Sequence, residues 1–205
     1  FFRTNATSNR GRQGILKVCQ EAYDKVGIIK NVLDLMSDFG SKGITIRHED
    51  PELDRFCQKW SKKVDIPERS ERFLNTLYRL GSVVIYSKTG RASNSITSKY
   101  IPIKYIFLNP GSVEVKGEDN GIIPSDFEYV LKYSKNTIRN MQLDTIQSVI
   151  PEELKKYYND GQRPLPSDRV NVYNYKKDDW QFWGLPIIYY LLDNLEVLEK
   201  LRLSD

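Results

Sequence analysis

The stretch Arg169-Val170-Asn171-Val172-Tyr173-Asn174-Tyr175-Lys176-Lys177-Asp178-Asp179-Trp180-Gln181-Phe182-Trp183-Gly184-Leu185-Pro186 decides how this chain is read. Arg169 to Tyr175 reads as a strand, Lys176 to Gly184 as an aromatic loop, and Leu185 onward as a helix. Pro186 suits the first helical turn, where its missing N–H loses nothing. Ile188, Leu191, Leu195 and Leu198 then recur at spacings of three and four, so one long amphipathic helix is expected from Leu185 to Leu203. No Gly, Asn or Pro follows Leu203, and the helix is therefore expected to continue past Asp205. Phe1 in place of Met likewise suggests part of a longer chain, or a processed one.

Trp180, Phe182, Trp183, Gly184 and Pro186 are expected to join the body of the protein to this helix by packing. Three aromatics so close together can also line a ligand cage. The residues after them favour packing: Gly184 permits a tight reversal, and a hydrophobic contact ahead of a helix start fixes its angle.

A chain of 205 residues can form one domain or at most two small ones, and one is expected. The boundaries drawn from sequence are 1–184 for an α+β domain and 185–205 for the beginning of the long helix. With 40% hydrophobic, 28% charged and 12% aromatic residues, the composition is that of an ordinary soluble globular chain. No apolar run approaches the roughly 20 residues that span a bilayer, and no signal-peptide pattern opens the chain. No membrane partner is expected.

The same counts exclude several chemistries. His48 is the one histidine, and beside Glu49 and Asp50 it reads as a helix cap. Cys19 and Cys57 sit on apolar faces of expected helices, where a thiol behaves as a small hydrophobe. One His and two distant Cys cannot supply the roughly four ligands of a structural zinc site. Lys88-Thr89-Gly90 follows a strand as in the serine penicillin-binding enzymes, but no Ser is followed by Lys three positions on, so the match is read as a turn. No glycine-rich phosphate loop or dinucleotide fingerprint is present. No catalytic residue, metal or cofactor is expected.

Along the chain, Phe1 to Gly14 reads as a loose arm. Two helices, or one bent at Gly27, follow on Ile15, Leu16, Cys19, Ala22, Tyr23 and Val26, then on Ile29, Val32, Leu33, Met36 and Phe39. Ile44 to His48 reads as a short strand. Asp50-Pro51 and Pro67 start two further helices, and Gly81 stops the second. Val83-Val84-Ile85-Tyr86 reads as a strand buried on both faces. A loop from Ser87 to Lys99 leads to a strand at Tyr100 to Leu108, where Pro102 demands an edge position. Strands at Val113 to Lys116 and Phe127 to Tyr133 complete an antiparallel meander. Two helical pieces, 138–149 and 151–158, precede the closing strand. Helices first, strands second and helices last favour α+β over a βαβ repeat.

From Arg72 to Val113 there is no Asp or Glu, while Arg72, Arg79, Lys88, Arg91, Lys99 and Lys104 are all basic. With tyrosines interleaved, Lys88, Arg91 and Lys99 are candidate contacts to nucleic acid. The competing reading is a solvated loop, or a patch that meets an acidic neighbouring subunit.

The chain resembles the portal proteins of tailed bacteriophages. The matching pieces are Val32-Leu33-Asp34-Leu35-Met36-Ser37-Asp38-Phe39 running into Gly43-Ile44-Thr45-Ile46, Leu77-Tyr78-Arg79-Leu80-Gly81, Leu108-Asn109-Pro110, and Leu165-Pro166 through Val170-Asn171-Val172-Tyr173 to Trp183-Gly184-Leu185-Pro186-Ile187. The resemblance implies the outer wing and the start of the stem helix. It further implies a non-enzymatic ring subunit, in a dodecamer, at one vertex of the virion. Double-stranded DNA would pass through that ring during packaging and ejection, and the major capsid protein, terminase and a head-tail adaptor would be its partners. The alternative function, resting on 72–104, is a stand-alone nucleic-acid-binding module.

Overall fold

Among the described residues, four helices come first: α1 (Asn9–Lys25), α2 (Gly27–Ser41), α3 (Pro51–Val64) and α4 (Ile66–Leu80). Six described strands follow: β1 (Ser82–Arg91), β2 (Tyr100–Leu108), β3 (Val113–Glu118), β4 (Ser125–Lys132), β5 (Gln162–Pro164) and β6 (Val170–Asn174). The fold is α+β, as the order of apolar patterns implied. The computed structural model describes residues 9–42, 44–91, 100–118, 125–132, 162–192, 194 and 197. The expected helices at 138–149 and 151–158, the candidate contact Lys99 and most of the expected long helix lie outside the described residues.

Local chemistry sets the ends of α3 and α4 as expected. The Asp50 carboxylate accepts from the backbone N–H groups of Glu52 and Leu53, satisfying two donors that have no partner within the helix, with Pro51 behind it. At the other end of α4, Gly81 takes φ 70°, a left-handed conformation, and donates its N–H to the Leu77 carbonyl at 2.9 Å.

Three expectations in the first fifty residues are corrected. Helix α1 already starts at Asn9, inside the supposed loose arm, because Arg12, Ile15 and Leu16 are buried and tertiary packing supplies what local polarity does not. On α2 the buried positions are Ile29, Leu33 and Ser37, whereas Val32, Met36 and Phe39 are exposed. Ile28, Val32, Leu35 and Phe39 form a second apolar stripe at the same helical period, so periodicity alone does not distinguish the two faces. Ser37 is tolerated inside because its hydroxyl donates to the Leu33 carbonyl at 2.7 Å. Finally, 44–48 is no strand. Gln58 donates its amide to the Ile46 carbonyl and the Asp54 carboxylate accepts from the His48 N–H, so α3 side chains take the place of a ladder.

The strands form two three-stranded sheets, ordered β2-β1-β6 and β3-β4-β5, rather than one continuous meander. The turn at Asn109 marks the division: its side chain accepts from Gly111 N–H at 2.9 Å and a single 3-10 turn, Pro110–Ser112, separates β2 from β3. Val83, Val84 and Tyr86 are buried on both faces of β1, each contributing about 1.5 to 3 kcal/mol relative to an exposed side chain. Strand β1 runs on through Lys88-Thr89-Gly90 to Arg91, so the expected turn and the first part of the expected loop are strand. Pro102 lies in edge strand β2, opposite Thr89, where the missing N–H removes no ladder bond that a third strand would need.

The chain divides into two compact units, Phe1–Val83 with Val172–Asp205, and Val84–Asn171. In the first unit Ile188 packs among Ile15, Cys19, Tyr23, Ile29 and Leu33. The Tyr23 hydroxyl donates to Asp34 at 2.6 Å, Asn75 donates to the same carboxylate at 2.7 Å, and the Arg79 guanidinium lies 4.9 Å from the Tyr23 ring centroid. In the second unit Val113, Val115, Val130, Leu131 and Leu165 are buried.

Candidate functional site

Two clusters carry the residues singled out from the sequence, one in each unit. The first is the junction before Ile188. Strand β6 ends at Asn174, whose side-chain oxygen accepts from the Ser82 hydroxyl at 2.8 Å and from the Gly184 N–H at 3.1 Å. One amide oxygen thereby ties the start of β1, the end of β6 and the chain leaving the aromatic loop. The Tyr175 N–H donates to the Gly81 carbonyl at 2.9 Å, and the Tyr175 and Tyr78 rings meet edge to face at 5.9 Å.

Trp183 fills the centre of this cluster with 0% of its surface exposed. The Arg12 guanidinium lies over its ring, 3.6 Å from the centroid, and is itself buried. Gly184 and Pro186 are buried behind it, and Phe182 is half-buried. Packing is therefore what Trp183, Gly184 and Pro186 do. Trp180 does not share it: at 58% exposed it stands at the tip of the loop. The reason is a closed turn beneath it, where Gln181 N–H donates to the Asp178 carbonyl at 3.0 Å and the Lys177 ammonium donates to the Gln181 carbonyl at 2.7 Å.

Pro186 also departs from expectation. With φ −59° and ψ 146° it stands before the helical turn rather than inside it, and Ile187–Leu191 is a 3-10 helix whose Tyr189 N–H bonds to the Pro186 carbonyl. Leu192 resumes right-handed helical angles.

The second cluster is the β1–β2 ladder. Lys88 lies directly opposite Lys104, and both are exposed. Just beyond, the register slips: Thr89 pairs with Pro102, leaving Ile103 as the extra residue of a bulge, and its side chain lies against Gly90, 3.0 Å from where a Cβ would stand. Arg91 closes the ladder opposite Tyr100, but its side chain, like the whole of Lys99, lies outside the described residues. The structure thus brings together Lys88 and Lys104, of which the second was not among the candidate contacts. Its signal was weak, since register across residues 92–99 cannot be counted from sequence.

Arg12 was missed as well, because a basic residue in a polar arm gives no sign of lying over a tryptophan. Among the described residues, no group of three or more His, Cys, Asp or Glu is placed to hold a metal ion. No protein-family model matches the sequence, and no curated protein does so.

Proposed function

We propose that this chain is the wing and stem-start portion of a portal subunit of a tailed bacteriophage, a structural ring component at one virion vertex. The observation that carries the reading is the junction. Gly81, Asn174, Trp183 and Gly184 hold the chain at one fixed point where it leaves β6 and turns toward a helix packed on α1 and α2. A subunit that passes assembly forces from a body into a stem needs such an over-determined connection, and two of the sequence pieces that carry the portal resemblance, Leu77 to Gly81 and the one ending Trp183-Gly184-Leu185-Pro186-Ile187, meet at it.

The exposed stripe of Ile28, Val32, Leu35 and Phe39 on α2 supports the ring itself, since a closed ring repeats one contact between copies and this stripe offers an apolar surface for it. In this reading the ring is a dodecamer, assembled in the host cytoplasm. Its partners are the major capsid protein, terminase and a head-tail adaptor, with double-stranded DNA passing through the channel. Electron microscopy and light scattering of the intact protein test it. Rings with a central channel are expected, and a monomer at micromolar concentration and moderate salt would sink it.

The second reading, a nucleic-acid-binding module, gains one specific observation: Lys88 and Lys104 face each other instead of standing apart on a loop.

A further inference from the structure

The Lys88–Lys104 pair is an electrostatic anomaly. Like charges directly opposite on an antiparallel ladder repel across roughly 5 Å between Cβ atoms and destabilise the pairing. Among the described residues no carboxylate pairs with either ammonium, and the stretch from Arg72 to Val113, which contains both lysines, has no Asp or Glu. The other sheet of the same unit handles its charge in the ordinary way: Lys132 on β4 forms an ion pair with Glu114 on β3. The unbroken register from Val84↔Leu108 onward sets the two lysines opposite each other, and the bulge lies just beyond them.

We propose that Lys88 and Lys104 form a phosphate-binding pair that grips the backbone of double-stranded nucleic acid. Two ammonium groups on flexible stems match two neighbouring phosphates on one strand, which recur about every 3.4 Å along the helix axis. Tyr86, two residues before Lys88 on the same strand face, is buried and cannot stack on a base, so the contact proposed is to the backbone. An anionic membrane is the poorer fit. Every exposed large hydrophobic side chain among the described residues, from Val18 to Val197, belongs to the other unit, so the described residues of this one offer no apolar anchor to insert. The inference is independent of the ring, since a monomer would bind through the same pair.

The test is a salt titration of the intact protein with a short mixed-sequence DNA duplex, read by fluorescence anisotropy. Lys88→Ala/Lys104→Ala should flatten the dependence of log affinity on log salt by about 2, one for each phosphate left without its lysine. Lys59→Ala/Lys62→Ala, which removes the same charge from the exposed side of α3, should leave the slope unchanged. Lys104→Glu supplies a reading that simple unfolding cannot imitate. It should raise the melting temperature by about 1 to 4 °C by turning repulsion into attraction, while weakening DNA binding more than the alanine change does. Three results would overturn the proposal: no binding by the wild-type protein, an unchanged slope in the double alanine variant, or equally tight binding to phosphatidylserine vesicles or polyglutamate. If rings form while any of these holds, the portal reading stands and only this site falls; binding by a monomer has the opposite meaning.

Discussion

Gly81 and Gly184 meet backbone to backbone, and neither position has room for a side chain. A Cβ on Gly81 would lie 2.6 Å from the Gly184 carbonyl oxygen, and one on Gly184 would crowd the Gly81 carbonyl and lie 2.6 Å from that of Tyr175. Each glycine is needed because of the other. The end of α4 can approach the chain before the 3-10 helix only where both lack a Cβ.

Alanine at either position should therefore be severely destabilising. At Gly81 the left-handed backbone adds a conformational cost to the clash, so Gly81→Ala should cost about 2 to 4 kcal/mol. Gly184→Ala should cost a similar amount through the clash with backbone atoms that cannot rotate away. Urea unfolding measures both. A loss below about 0.5 kcal/mol in either variant, the range of an ordinary surface change, would show that the two segments part easily.

The two tryptophans of the aromatic loop should behave oppositely although three residues apart. Truncating the buried Trp183 to Ala should cost about 3 to 5 kcal/mol and free the Arg12 guanidinium from its ring. Trp180→Ala should change stability by no more than about 0.5 kcal/mol. Thermal melting of the two variants side by side decides it, and equal losses would mean that the loop packs as one body with both rings inside.

What could be read from sequence divides along the range of the interactions. Asp50-Pro51 and the Gly81 stop were legible because a cap and a left-handed C-terminus are made by residues a few positions apart. The Val83 to Tyr86 strand was legible from its own unbroken apolar run. Gly184 stood out too, but as a turn residue; its contact with Gly81 spans about half of the chain and leaves no local trace. The buried face of α2 failed for another reason, since two apolar stripes satisfy the same period. Lys88 was read as a loop residue because its partner, Lys104, is set by a ladder whose register has no signature within the acid-free stretch.

Alkaline pH should weaken the first unit through two groups held neutral inside it. Burial pushes the Cys19 thiol up from its ordinary 9.0 to about 12. Burial, then the hydrogen bond to Asp34, raises Tyr23 above its ordinary 10.0. In both cases the unfolded chain ionises first, so the contribution of Cys19 is whole below pH 9.0 and is lost as pH climbs toward about 12, and that of Tyr23 declines only above pH 10.0. Cys19 alone corresponds to a slope of about 1.4 kcal/mol per pH unit within that window. Urea melts at a series of pH values should show the decline, and Cys19→Ala should make it shallower. A variant with an undiminished slope would show that Cys19 is reached by water in the folded protein.

The exposed stripe on α2 separates folding from assembly. Leu35 is 56% exposed and Phe39 65%, and the Lys42 ammonium lies 5.1 Å from the Phe39 ring centroid, so both side chains already stand largely in water. Leu35→Gln/Phe39→Gln should then shift the unfolding free energy of the isolated chain by no more than about 0.5 kcal/mol per site. In a ring, the same two positions would be covered by the next copy, and a polar group without a partner there costs about 1 to 3 kcal/mol at every interface. Because the contact repeats around the axis, that penalty multiplies with the number of subunits, and closed rings should give way to monomers in light scattering while the melting curve of the monomer is unchanged. Rings that form normally from the double variant would place the contact between copies elsewhere on the molecule, and a monomer that melts early would return Leu35 and Phe39 to the core.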